Sequence, residues 1–101
     1  MKVEKTHHID SGGTGLSRFH YEYDLYRFSD SEKLMVARSY QDEPQEAHFL
    51  RLERNGESQP LTPDDLRDPL FRQAVNYLRQ IGKQDLSWLN VQSEGYELVP
   101  F

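Results

Sequence analysis

Polar and apolar positions alternate in residues 17–25, which predicts a β-strand with one buried face. At Tyr26 and Phe28 the aromatic residues move to the opposite parity. Either a β-bulge shifts the buried face at this point, or these two side chains stand on the outer side of the sheet. The apolar positions of the first parity are Phe19, Tyr21, Tyr23 and Leu25.

Two more strands are predicted between turn-forming segments. Residues 29–32 are polar turn formers, so they join the first strand to a second strand at 33–40 as a hairpin. Pro44 cannot donate to a strand ladder, and strand composition resumes after it at 47–54. The Asn-Gly pair at 55–56 favours a tight turn, followed by a short edge strand or by a turn into a helix.

A helix is predicted from Pro69 to Ile81. Asp68 and Pro69 supply an N-cap and a proline at the first helical position, and Gly82 is typical of a helix end. A short first turn is expected at 63–67. The apolar residues of the main helix lie at spacings of three, four and seven and form one stripe that packs on the sheet: Leu70, Phe71, Ala74, Val75, Leu78 and Ile81.

The order of elements indicates an α+β domain. Residues 85–92 are predicted to form the last strand, and 94–101 a short terminal strand or an ordered tail. We therefore expect an antiparallel sheet of about four strands in β-β-β-α-β order, with one main helix packed on one face. Residues 1–16 are rich in glycine and polar side chains, which predicts a flexible N-terminal lead-in to a single domain at 17–101.

Composition narrows the class of protein. The chain has 101 residues, which is enough for one small core, and its one Trp, six Tyr and five Phe argue against disorder. Its net charge of −5 repels nucleic acid phosphates, and no basic patch is segregated in the sequence, so we expect no nucleic acid partner. Without cysteine, a signal-peptide pattern or a long apolar run, we expect a cytoplasmic protein that is not bound to a membrane.

The segment THHIDSGGTGLSR at 6–18 contains residue types of metal and phosphate sites. Phosphate loops need a helix after the glycines and usually a lysine, but this segment lacks lysine and leads into a strand. His7 and His8 are adjacent, so in a strand they point to opposite sides and cannot chelate one ion. We therefore predict no cofactor and no metal site here.

An enzyme is the alternative function. His20 lies on the first predicted strand and His48 on the third, where the fold could bring them together, and Glu22 and Asp24 share the parity of His20. These residues could serve a small metal-dependent or acid–base hydrolase. The sequence has neither a cysteine nor a Gly-x-Ser-x-Gly motif, so it offers no nucleophile of those kinds.

The pattern favours a protein-binding or regulatory module over an enzyme. A sheet covered by one helix leaves its second face or its edge for a protein partner, either a second copy in a homodimer or a basic protein that this acidic chain inhibits, as immunity proteins do. The candidate contact residues are Tyr26, Phe28 and Trp88 on the sheet face, and His20, Glu22 and Asp24 on an acidic edge.

Overall fold

The computed structural model describes residues 1–101, which form seven strands in one mixed sheet and one α-helix. Short 3₁₀ turns at Gly15–Ser17 and Pro63–Arg67 precede the second strand and the helix, respectively. The helix, α1, runs from Pro69 to Gln80. The strands are β1 Lys2–Gly12, β2 Phe19–Ser29, β3 Lys33–Tyr40, β4 Glu46–Arg54, β5 Glu57–Gln59, β6 Asp85–Asn90 and β7 Gly95–Leu98.

The strands follow the order β1-β2-β3-β4-β6-β7 across the sheet, and β5 pairs with the end of β4. All neighbouring strands are antiparallel except β4 and β6, which are parallel. Parallel strands need a crossover connection, and here that connection contains α1. The helix therefore covers one face of the sheet, and we call the opposite face the open face.

The prediction of about four antiparallel strands is wrong. β1 occupies most of residues 1–16, for which the sequence predicts a flexible lead-in, and β5 and β7 are also strands. β1 lies at the edge of the sheet, where most of its side chains face solvent, so no apolar alternation marks it. The sheet is mixed because the connection through α1 brings the chain back beside β4, so that β6 runs parallel to β4.

The helix prediction is confirmed to within one residue. The Asp68 carboxylate accepts a hydrogen bond from the Leu70 amide at 2.9 Å, as expected of an N-cap. The predicted stripe is buried except for Ile81, which follows the last helical residue and is half-exposed. This helix is too short and too polar to cross a membrane, and the chain has no other α-helix.

The core lies between α1 and the covered face of the sheet. Tyr26, Phe28 and Trp88 are only 3%, 0% and 3% exposed, so they are core residues and not the open-face contacts that the sequence suggests. Strand pairing is continuous through Tyr26 and Phe28, so β2 contains no bulge. The bulge is in β4 instead, where pairing moves from Val36–Arg51 to Ala37–Phe49.

Candidate functional site

The open face carries the first aromatic parity of β2. Because Tyr26 and Phe28 point toward α1, the alternate side chains of the same strand point away from it. Two of them, Phe19 and Tyr21, are 47% and 52% exposed. Sequence reasoning placed this parity in the core, so it missed these residues as contact candidates.

Aromatic rings on β1, β2 and β3 contact one another across the open face. His8 stacks on Tyr23 with 5.3 Å between ring centroids, and Tyr23 meets Tyr40 edge-on at 5.7 Å. Tyr21 lies 6.0 Å from Tyr40 and 5.8 Å from Phe19. These distances are typical of favourable aromatic pairs, so the rings hold one another in place.

Arg38 connects these rings to a side chain on β7, at the opposite edge of the sheet. Its guanidinium lies 4.7 Å from the Tyr40 ring centroid, and its Nη2 donates a hydrogen bond to the Tyr96 hydroxyl at 3.3 Å. The Tyr96 ring is 4.8 Å from the His48 ring. We call the resulting row the aromatic band; its members are His8, Phe19, Tyr21, Tyr23, Arg38, Tyr40, His48 and Tyr96.

His48 is a partly buried ionisable group of the aromatic band. Its Nδ1 is 2.5 Å from the hydroxyl oxygen of Ser87 on β6, which fixes the orientation of the ring. Burial lowers the pKa of His48, and the positive charge of Arg38 lowers it further, against a smaller opposing effect of Glu43. The ring is therefore neutral at pH 7, with Nε2 directed away from Ser87.

Two carboxylates lie beside the Nε2 atom of His48. The Glu46 Oε2 atom is 3.8 Å from it, and one donor atom from each of Glu43, Glu46 and His48 lies within 4.8 Å of the others. A hydrogen bond to the Glu46 carboxylate raises the pKa of Glu43. A surface cavity of about 260 Å³ adjoins the group and is also lined by Tyr21, Tyr40 and Asp42. One imidazole and two carboxylates could hold a divalent metal ion.

The predicted acidic edge lies beside β1, on the face of the sheet against which α1 packs. The His7 ring bridges its two carboxylates, with Nδ1 2.7 Å from Asp24 Oδ1 and Nε2 2.9 Å from Glu22 Oε2. Hydrogen bonds that the protonated ring donates to Asp24 and, with a smaller effect, to Glu22 raise the pKa of His7. His20 is exposed and 3.8 Å from Glu22. The charge of this edge is therefore largely compensated within the chain.

The structure does not bring His20 and His48 together. His20 has the same strand parity as Tyr26, so it projects from the face of the sheet against which α1 packs. His48 lies on the open face. The carboxylates beside His48 are Glu43 and Glu46, which sequence reasoning missed. The spacing of Glu46 and His48, two residues apart on one strand, is a signal that could have identified the first of them. Comparison of the chain with protein family models, curated proteins and solved structures finds no match.

Proposed function

We propose that this protein is a binding module whose open face receives a protein partner. The observation that carries the proposal is the aromatic band, a row of mutually packed rings that α1 does not cover. Phe19, Tyr21 and Tyr96 remain about half-exposed within it. Tyrosine and arginine dominate the energetically important positions of protein interfaces because they combine a large contact area with polar atoms.

Packing within the aromatic band favours tight association. Ordering a flexible side chain at an interface costs about 0.5–1.5 kcal/mol. Arg38 is already held between the Tyr40 ring and the Tyr96 hydroxyl, so little of this cost remains for it. The net charge of −5 favours a basic partner, because charges of opposite sign raise the rate of encounter.

The proposal is tested by comparing three forms of the protein as baits. We immobilise three forms of the chain: wild type, the double variant Tyr21→Ser, Tyr96→Ser, and the control Asn76→Ser. The partner that they capture is then purified and titrated against each form. Asn76 is exposed on α1, so its substitution leaves the open face intact. We expect the double variant to bind at least about tenfold more weakly, which corresponds to about 1.4 kcal/mol. Equal affinity of all three forms would exclude the open face.

A second candidate function is metal-dependent or acid–base chemistry at Glu43, Glu46 and His48. The observation that favours it is the meeting of these three side chains beside a cavity. Calorimetric titration with Zn²⁺ and Mn²⁺ tests it. Binding by wild type and by His20→Gln, but not by His48→Gln, would support the candidate. The absence of binding to wild type would remove its metal-dependent form.

A further inference from the structure

β1 presents a long, unpaired strand edge. All eleven residues from Lys2 to Gly12 pair with β2, and no other strand contacts β1 on its second side. The backbone N–H and C=O groups on that side are free to pair with another strand. Native proteins usually shorten or protect such edges, because a long one is a template for association.

The side chains of β1 are complementary to those of a second β1. In an antiparallel pair with a two-fold axis at Thr6, Lys2 lies opposite Asp10 of the second copy, and Glu4 lies opposite His8. The same register places Val3 opposite the exposed Ile9. Two opposed polar pairs and one apolar pair are thus each formed twice.

Neighbouring registers lose this match. An axis at Lys5 would place the two Lys5 side chains opposite each other and Val3 opposite His7. An axis at His7 would place Glu4 opposite Asp10, and like charges directly opposite each other are unfavourable. The charge pattern of β1 therefore selects the register centred on Thr6.

One pair of the selected register joins two basic side chains, Lys5 and His7. Carboxylates beneath them compensate for this repulsion. Asp24 lies 3.6 Å from Lys5 Nζ and 2.7 Å from His7 Nδ1, and Glu22 accepts from the other nitrogen of His7. Each copy thus supplies as many acidic as basic groups at this point.

We propose that two copies of this chain pair through β1, antiparallel and centred on Thr6, to form one continuous sheet. The axis is perpendicular to the sheet, so both helices lie on one side and both open faces on the other. This interface uses the free edge of β1, shares only His8 with the aromatic band, and goes beyond the proposed function.

Cysteine cross-linking tests the register, because the chain has no cysteine of its own. Thr6→Cys places two thiols directly opposite each other, within about 5 Å between Cβ atoms. Under mild oxidation we expect this variant to form a covalent dimer about tenfold faster than Glu4→Cys or His8→Cys, because disulfides need close Cβ atoms. In each of those variants the two thiols would be about 13 Å apart along the strands. In an equimolar mixture of Glu4→Cys and His8→Cys, only dimers that contain one of each variant bring the two thiols opposite each other, so the mixture should cross-link to about half the extent of Thr6→Cys.

Light scattering of the wild-type chain over a concentration series provides the second measurement. A rise from monomer to dimer mass, together with the cross-linking pattern, supports the proposal. A monomer mass at every concentration, or equal cross-linking of Thr6→Cys and Glu4→Cys, overturns it. The open-face variant Tyr21→Ser, Tyr96→Ser should dimerise like wild type, so a failure of the proposed function is distinguishable from a failure of this interface.

Discussion

A single carboxylate, that of Asp30, closes the turn between β2 and β3. Its Oδ1 accepts hydrogen bonds from the amides of Glu32 and Lys33 at 2.8 and 2.9 Å, and its Oδ2 accepts one from Lys33 Nζ at 3.0 Å. These bonds, that of the Glu32 amide first, lower the pKa of Asp30 from 3.8 to about 2. The turn is therefore held by the ionised form of this side chain.

The stability of the fold should depend on the ionisation of Asp30 in acid. Its pKa is lower in the folded chain than in the unfolded chain, so its contribution is complete above about pH 4 and is lost as the pH falls toward 2. Solvent screening reduces this contribution to about 1 kcal/mol. Urea unfolding at pH 5 and pH 2 should show a smaller loss of stability for Asp30→Asn than for wild type. Equal losses would contradict the assignment.

His7 should titrate above its ordinary value of 6.5, because Asp24 and Glu22 stabilise its protonated ring. A raised pKa in the folded state means that this cluster stabilises the fold below pH 6.5, and that the contribution disappears as the pH rises through the pKa of the folded state. NMR titration of the His7 ring protons measures this pKa directly. Asp24→Asn should lower it, and an unchanged value would show that Asp24 does not act on His7 in solution.

At the level of elements, α1 should contribute to stability through its buried side alone. Phe71 is fully buried, 4.6 Å from the Phe49 ring centroid, so Phe71→Ala should reduce the free energy of unfolding by about 3–5 kcal/mol. Ile81→Ala, at a half-exposed position of the predicted stripe, should cost less than about 1 kcal/mol. Chemical denaturation of both variants checks the difference. Similar losses would place Ile81 in the core after all.

The signals for α1 are local, which explains why the sequence predicts it well. Its cap, proline and apolar stripe all lie within a few residues of one another. Which face of β2 is buried is not a local property. Both faces of this strand carry aromatic residues, and the packing of α1 decides which of them is buried. The aromatic band is equally non-local: His48 on β4 and Tyr96 on β7 meet only after β6 has been placed between these two strands.

The β1–β2 hairpin extends beyond β3, which pairs with β2 only from Tyr23 onward. A two-stranded ribbon without further support is marginally stable. We therefore expect the amides of residues 9–12 to exchange hydrogen faster than those of residues 3–6. The same measurement tests the flexibility that the sequence predicts for residues 1–16. Exchange measured by NMR tests this at a low protein concentration, where β1 does not pair with a second copy of the chain. Uniform protection along β1 would contradict it.

For the whole molecule, the parallel pair of β4 and β6 is the strand pairing that must form across the longest stretch of chain. His48 and Ser87 meet across this pair and are 39 residues apart in sequence. The first four strands, in contrast, are joined by short turns and pair in sequence order. Distant contacts carry a larger loop-closure cost, so we expect β6 to join a sheet that has already formed.

Stopped-flow kinetics can test this order. Met35 in β3 and Leu86 in β6 are both buried, and replacing either with alanine should cost about 2–5 kcal/mol. Met35→Ala should mainly slow folding, whereas Leu86→Ala should mainly accelerate unfolding. A proportionate slowing of folding by Leu86→Ala would show that β6 joins early.

The late position of β6 and β7 has a consequence for the newly synthesised chain. Tyr21, Tyr23 and Tyr40 emerge from the ribosome well before Ser87, which orients His48, and before Tyr96, which completes the row of rings. Chains are made from the N-terminus, and early segments can fold while the rest is still being added. The complete aromatic band therefore does not exist on a nascent chain until β7 has left the ribosome. Under the proposed function, a chain that still lacks β7 would not bind the partner as the folded domain would.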